Sequence, residues 1–510
     1  MKSLWNRLIK LDRNSSKSLQ IQIREGIVTA ALEKMLEIDK PLPSSRELAK
    51  ELNVARNTVV LAYQHLVDEG FLDSHERRGF FINPQVYSDR IDQPKTNDDV
   101  TQNTPSWCKR LLLKQPSLQR NIRKNKNWKD SPYPFIFGQL DFNLIPIHEW
   151  RECVHYSLNV GEMRQWATDQ VDEDDPLLIE QIQKRVLPRR GIWTRPENIM
   201  ITLGAQNALY IIASLLVGEG TRVGIENPGY PDVRNIMGLK TDNLIGLDLD
   251  EEGVVVNDKL LNCDVVYVTP SHQVPSGVTM SQKRRQQLLE AASDKDIVII
   301  EDDFEAESNF KHEPQPALKS SSDSDQVIYV GSTSKTFAPG LRLGYMVAPE
   351  KVIHEARALR RLMFRHAPAN NQRAAALFVS LGHYDKMIGR LHGVYKERWQ
   401  AMNHCIEKHL PSLKCVPNFG GSSFWLEGPD GLNVDEMASD LEKQGVVLET
   451  GSVFFMGEDA PKNHFRLGYA SIPVDKIEPG ILMIADYLYG RNPEQKNVKS
   501  PLNSPKSSIN

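Results

Sequence analysis

The chain is poor in the residues that would cross-link it or hold it in a membrane. Of its 510 residues five are cysteine (Cys108, Cys153, Cys263, Cys405, Cys415), with no Cys-x-x-Cys pair and no metal-like spacing. That excludes a disulfide-built secreted scaffold and a cysteine zinc site, and fits reduced thiols in a reducing compartment. No stretch approaches the roughly 20 consecutive apolar residues that cross a bilayer. The opening Met1-Lys2-Ser3-Leu4-Trp5-Asn6-Arg7 lacks an apolar run of signal-peptide length. A cytoplasmic protein is expected. Internal repeats are lacking too. What is present is an ordinary globular composition, 40% hydrophobic and 25% charged, over a length suited to about two to four domains.

Charge is unevenly spread. Residues 1–130 carry 23 Lys and Arg against 16 Asp and Glu, a surplus of 7 that leaves −11 for the remainder of a chain whose net charge is −4. Such asymmetry suits an N-terminal part that meets a polyanion, although a solvated basic tail gives the same count. Residues 12–84 have the pattern of a compact helical module followed by a short β-like run. Residues 85–130 read as a flexible linker, acidic at Asp89, Asp92, Asp98 and Asp99, then with eight Lys and Arg and no acid over 109–129. Its basic half either touches nucleic acid or keeps the linker soluble. Residues 131–490 form one large domain, and 491–510 a Ser/Pro/Asn/Lys-rich tail expected to be disordered.

In the large domain, short apolar runs alternate with helix-sized intervals: Ile199–Ile201, Arg222–Ile225, Val265–Val268, Ile297–Ile300 and Val327–Val330. Continuous apolar runs of this length predict strands buried on both faces of a mostly parallel sheet, hence an α/β fold. Polar or Gly-rich motifs follow each run, where ligands gather in open α/β sheets. After the last run comes Gly331-Ser332-Thr333-Ser334-Lys335, with Arg342 seven residues on. A lysine held partly desolvated at such a place loses its proton readily and forms a Schiff base with an aldehyde. Ser332, Ser334 and Arg342 offer phosphate donors beside it. Ala205 and Gln206 open a helix after a strand, and amides there also bind phosphate, although Gly-Ala-Gln also serves as an ordinary tight turn.

In the N-terminal module Ser44 and Glu47 make a capping box for one helix. A second helix, 55–66, carries Val59, Ala62, Tyr63 and Leu66 on one stripe and Arg56, Asn57 and Thr58 in its first turn. Gly70-Phe71-Leu72 and Arg78–Ile82 can pair as two strands with a basic tip at Arg77 and Arg78.

These motifs resemble two known families. The Lys335 segment is similar to the lysine segment of fold-type-I pyridoxal-phosphate aminotransferases, and residues 41–72 resemble the winged helix-turn-helix of GntR regulators. Together they resemble the MocR subfamily, a winged helix joined to an aminotransferase-like domain. The resemblance implies pyridoxal phosphate bound to Lys335 as an aldimine, with Asp302 facing the pyridine nitrogen and Asp303 on the sheet's other side. It implies Tyr230 lining or stacking on the cofactor, or else packing as a loop tyrosine, and Arg466 clamping an effector's acid group. It implies Arg46, Arg56 and Thr58 on DNA with Arg78 in the wing, and a head-to-tail homodimer. The function implied is a regulator that senses a small amino compound (an amino acid, a taurine-like or a diamino acid effector) by exchange at Lys335 and controls a catabolic or transport operon. A working aminotransferase with an appended DNA-binding module is the alternative. Three departures stand out: Phe304 replaces a tyrosine, Val274 an asparagine, and Gly79-Phe80 interrupts the wing's Gly-x-Gly. His272 is either a compensating polar group or a structural histidine.

Overall fold

The structure, a computed structural model, describes residues 4–88, 108, 114–123, 125, 127–305, 309–310, 315–321, 325–332, 339–416 and 420–490. The chain divides into two compact units, residues 1–111 and 112–510.

The first unit runs α1 (Leu4–Leu8), α2 (Leu19–Leu32), α3 (Ser45–Leu52), α4 (Arg56–Asp68), then an antiparallel pair β1 (Leu72–His75) and β2 (Gly79–Ile82). The Ser18 hydroxyl accepts the Ile21 N–H and starts α2. Ser44 and Glu47 complete both halves of the capping box on α3. Asn53, in the left-handed region at φ 51°, turns the chain toward α4. Val59, Ala62, Tyr63 and Leu66 are all buried, against Ile23, Leu48, Leu72 and Ile82. The Tyr63 hydroxyl donates to the Pro43 carbonyl at 2.9 Å, so its polar tip is satisfied within this core. A boundary at residue 12 leaves out α1, whose Trp5, with Ile9 just beyond it, is buried in the same core.

The second unit is built on a seven-stranded sheet. In chain order its elements are β3 (Ile199–Thr202), α5 (Ala205–Leu216), β4 (Val223–Glu226), α6 (Pro231–Gly238), β5 (Leu244–Leu247), β6 (Val265–Val268), α7 (Gln282–Lys295), β7 (Val298–Asp303), β8 (Val327–Ser332) and β9 (Gly344–Val347). The spatial order is β3-β9-β8-β7-β6-β4-β5, parallel throughout except that β9 runs against both its neighbours. All five apolar runs lie in this sheet, buried on both faces by helices. After the long α8 (His383–His409) comes a smaller antiparallel sheet of β10 (Lys414–Cys415), β11 (Ser423–Glu427), β12 (Glu449–Thr450) and β13 (His464–Gly468), ordered β10-β11-β13-β12. Helix α9 (Val474–Gly490) closes the described chain.

Part of the segment expected as a free linker is fastened down. The Arg120 guanidinium donates to the carbonyls of Ser452 and Gly457 at 2.5 Å each. The Arg120 carbonyl accepts from Arg234 and Asn235, and Gln119 donates to the Asn235 carbonyl. Residues 114–123 are therefore held because their polar groups meet carbonyls left open at the end of α6 and in the 452–457 loop. Leu111, Leu112 and Leu113, expected to be partly helical, and the 491–510 tail lie outside the described residues.

Candidate functional site

The parallel strands deliver their motifs to one cavity of about 300 Å³. It lies beyond their carboxyl ends. Asp302, next to last in β7, lines it together with Tyr267 of β6, Ser332 at the end of β8, and Ala205, Gln206, Tyr230, Asp232 and Arg342. The Tyr267 hydroxyl donates to Asp302 Oδ2 at 2.9 Å. Burial, with Asp302 beside it, pushes the Tyr267 phenol well above its ordinary value, so it remains a donor.

Asp303 points to the opposite face, as strand alternation requires. There its carboxylate accepts from Arg190 at 2.6 Å and from Tyr329 at 2.9 Å, fully inside the protein. Burial alone would raise its pKa, but Arg190 and its other donors hold it below the ordinary carboxylate value. Glu301, one residue earlier, is pushed up to about 7 by burial with Asp303 nearby. His272 does not line this cavity but borders a smaller one that shares Val274, Phe304 and Arg466 with it, and burial lowers its pKa to about 4, so it stays neutral.

One end of the cavity is shaped by Gly204, Ala205 and Arg342. Gly204 has φ 81° and ψ 175° immediately before α5. Arg342 donates from Nη2 to the Leu203 carbonyl at 2.9 Å, which carries its guanidinium to the helix start. A Cβ on Gly204 would lie 3.0 Å from Arg342 Nη2, so only glycine lets the cation sit this close. An uncapped helix start, a guanidinium and the Ser332 hydroxyl form an anion cradle, with a carboxylate–phenol pair elsewhere in the same cavity. This donor set fits a phosphorylated pyridine. Ser334 and Lys335 lie outside the described residues.

Tyr230 borders the cavity beside α6, its hydroxyl donating to Asp232 at 2.8 Å. Burial, with Asp232 adding to it, raises the phenol well above its ordinary value. Val274 and Phe304 also face the cavity, so both departures from the resemblance lie at this site. Arg466, in β13, reaches it from the smaller sheet and is 1% exposed. Its guanidinium lies 3.9 Å from the Phe137 ring centroid and 4.7 Å from that of Phe454. Glu449 accepts its Nε–H at 2.8 Å. Ile122, from the fastened segment, is another lining residue.

In the first unit, Arg46 and Arg56 are exposed at the starts of α3 and α4, and Thr58 is half-buried in the first turn of α4. Arg56 donates from Nε to the Ser45 hydroxyl at 3.5 Å. No side chain caps α4, so its first amides stay open to water or an anion. Arg78 is exposed at the tip of the β1–β2 hairpin, 5.5 Å from the Phe81 ring centroid.

Comparisons with known proteins follow this division. Residues 162–482 match aminotransferase class I and II, and residues 19–82 match the gntR family of bacterial regulatory proteins. The HTH-type transcriptional regulator TauR of Rhodobacter capsulatus is 38% identical over 468 residues, which is 92% of this chain and 96% of that protein. The chain belongs to the MocR subfamily of GntR regulators. A second relative in that group, the probable rhizopine catabolism regulatory protein MocR of Rhizobium meliloti, is 28% identical over 93% of this chain and 94% of its own length. Pyrococcus horikoshii kynurenine aminotransferase, solved in complex with PMP, superposes with a TM-score of 0.69 at 27% identity over 76% of this chain and 98% of its own.

Against MocR expectations, sequence reasoning missed Tyr267, Glu449, Phe137, Phe454 and Ile122. Tyr267 was open to detection, since strand alternation in β6 and β7 puts it on the same face as Asp302. Glu449 was not, because its partnership with Arg466 depends on the register of two strands 17 residues apart in sequence.

Proposed function

We propose that this chain is a pyridoxal-phosphate-dependent transcriptional regulator that reads double-stranded DNA and responds to a small amino compound. One observation carries the reading. A chain with a gntR-type module also brings an anion cradle, an Asp302–Tyr267 pair and a buried arginine to a single cavity. In this reading Ala205, Gln206, Ser332, Ser334 and Arg342 hold the phosphate, Asp302 the ring nitrogen, and Tyr230 borders the ring. The cofactor supplies an aldehyde that joins reversibly to primary amines, with Lys335 as resident amine and the effector as competitor. Arg466 orients the effector by its acid group, a carboxylate or a sulfonate.

Arg46, Arg56 and Thr58 contact DNA from the first turns of their helices, and Arg78 lies along the backbone. The protein works in the cytoplasm as a head-to-tail homodimer. Exposed apolar residues over 147–160 (Ile147, Tyr156, Leu158, Val160) supply surface for a partner copy. Effector binding changes DNA affinity only by the difference in its affinity for two protein arrangements. Ile122 gives that difference a physical route, because the segment leading from the DNA-reading module borders the cavity. The controlled genes are a catabolic or transport operon for the effector's class.

The test is operator selection from a DNA pool, repeated with Arg56→Ala at unchanged cofactor content. Loss of one base-reading or phosphate-contacting arginine weakens operator binding by about tenfold or more. Unchanged affinity would refute the DNA-reading assignment. Turnover of amino donors with 2-oxo acids at ordinary enzymatic rates would favour the aminotransferase instead.

A further inference from the structure

Arg466 does not meet a ligand as a bare cation. It stands opposite Glu449 in the β13–β12 register and opposite Trp425 on its other side, so the three side chains form one row across the smaller sheet. Glu449 is 5% exposed and does not line the cavity; it lies behind the guanidinium. Its Oε2 takes the Nε–H at 2.8 Å and lies 2.6 Å from Nη2, and its Oε1 accepts the Phe137 N–H at 3.4 Å. Nη2 makes no hydrogen bond of sound geometry despite being buried, and Nη1 is not engaged by Glu449. The Nε and Nη2 atoms thus face Glu449, and Nη1 is the end of the fork left for a ligand. Phe137 and Phe454 lie against the guanidinium, which fixes its plane and excludes water.

The charge count decides what this arrangement accepts. Among the described residues that line the cavity, the cations are Arg342 and Arg466 and the acids are Asp232 and Asp302. Arg342 belongs to the phosphate cradle. Asp232 is held by two neutral donors, Tyr230 and Gln206. With Arg466 already neutralised, one incoming acid group makes the balance among these side chains negative, and a second meets no further cation among the described lining residues.

We infer that Glu449 is a specificity-determining residue of this cavity, admitting ligands with one acid group on the open end of Arg466 and disfavouring ligands with two. The inference rests on the proposed ligand role of Arg466. Removing the Glu449 charge leaves Arg466 a full cation at short range in an apolar box, where charge interactions are strong. Affinity for an acid ligand should therefore rise, whereas a residue that only props up Arg466 would lower it when removed.

The test uses cofactor-loaded full-length protein and the absorbance change on adding amines. The probes are γ-aminobutyrate and its acid-free counterpart butylamine, carried to concentrations where weak binding registers. In Glu449→Gln, γ-aminobutyrate should bind about tenfold more tightly, a change of about 1.4 kcal/mol, with butylamine unchanged. Unchanged or weaker γ-aminobutyrate binding, with butylamine unchanged, overturns the inference. Because breaking a buried ion pair can unfold a protein, a second measurement uses the wild type alone. Glutamine should bind at least about tenfold more tightly than isosteric glutamate, and equal affinities overturn the inference. Failure of the resting protein to take up cofactor would instead refute the proposed function, so the two failures are distinguishable.

Discussion

Gly204→Ala probes the anion cradle through a single methyl group. At φ 81° and ψ 175° the backbone occupies a region open almost only to glycine. A side chain held there costs about 1–3 kcal/mol. The added carbon would stand 3.0 Å from Arg342 Nη2 and 3.3 Å from its Cζ, so the guanidinium must withdraw or the turn must shift. Either movement spoils a charge-assisted contact to the phosphate, worth about 1.5–3 kcal/mol. The expected result is a cofactor dissociation constant raised about 10- to 100-fold. Titration of the cofactor-free protein, followed by absorbance or tryptophan fluorescence, measures it directly. Circular dichroism should show an intact fold, and operator affinity without effector should stay near that of wild-type protein lacking cofactor. Gly204→Ala binding the cofactor as tightly as the wild type would refute the placement of Arg342 at the phosphate.

Other perturbations examine the surroundings. Glu226 is buried, accepts from Thr269 at 2.6 Å, and is pushed up to about 7 by burial. A carboxyl raised in the folded state contributes stability fully present below its unfolded value near 4.5 and lost as pH rises through 7. Glu226→Gln should remove about 3 kcal/mol of that loss, seen as a shallower fall in the stability of the large unit between pH 4.5 and 8. An unchanged slope would contradict the burial of an ionisable group there. Arg120→Ala removes the two contacts of its guanidinium with the Ser452 and Gly457 carbonyls, so amide hydrogen exchange across 114–123 should accelerate and the effector's influence on DNA affinity should shrink. Unaltered exchange and unaltered response would show that the segment neither docks through Arg120 nor carries the signal.

How much could be read beforehand depended on how local the signal was. The sheet was legible because each buried strand is a continuous apolar run, and α3 and α4 because a capping box and an i, i+3, i+4, i+7 stripe are encoded within a few residues. Alternation required only that Asp302 and Asp303 face opposite ways, and the family resemblance named Asp302 as the one at the cofactor. Helix α1 was missed because five residues with one tryptophan give no periodicity of their own; their burial comes from packing against α2 and α3. Residues 114–123 read as free linker because they are basic and polar, yet their anchors are carbonyls exposed only once α6 and the 452–457 loop have folded. The neutralised state of Arg466 was invisible for a similar reason, since Glu449 becomes its neighbour only through strand register.

The most direct measurement of the central claim is covalent capture of the cofactor. Purified protein incubated with pyridoxal phosphate and treated with borohydride should gain one phosphopyridoxyl group per chain. Peptide mass spectrometry should place that group on Lys335, and Lys335→Ala should remain folded but take up none. Label on another lysine, undiminished label in Lys335→Ala, or no label at all would contradict it.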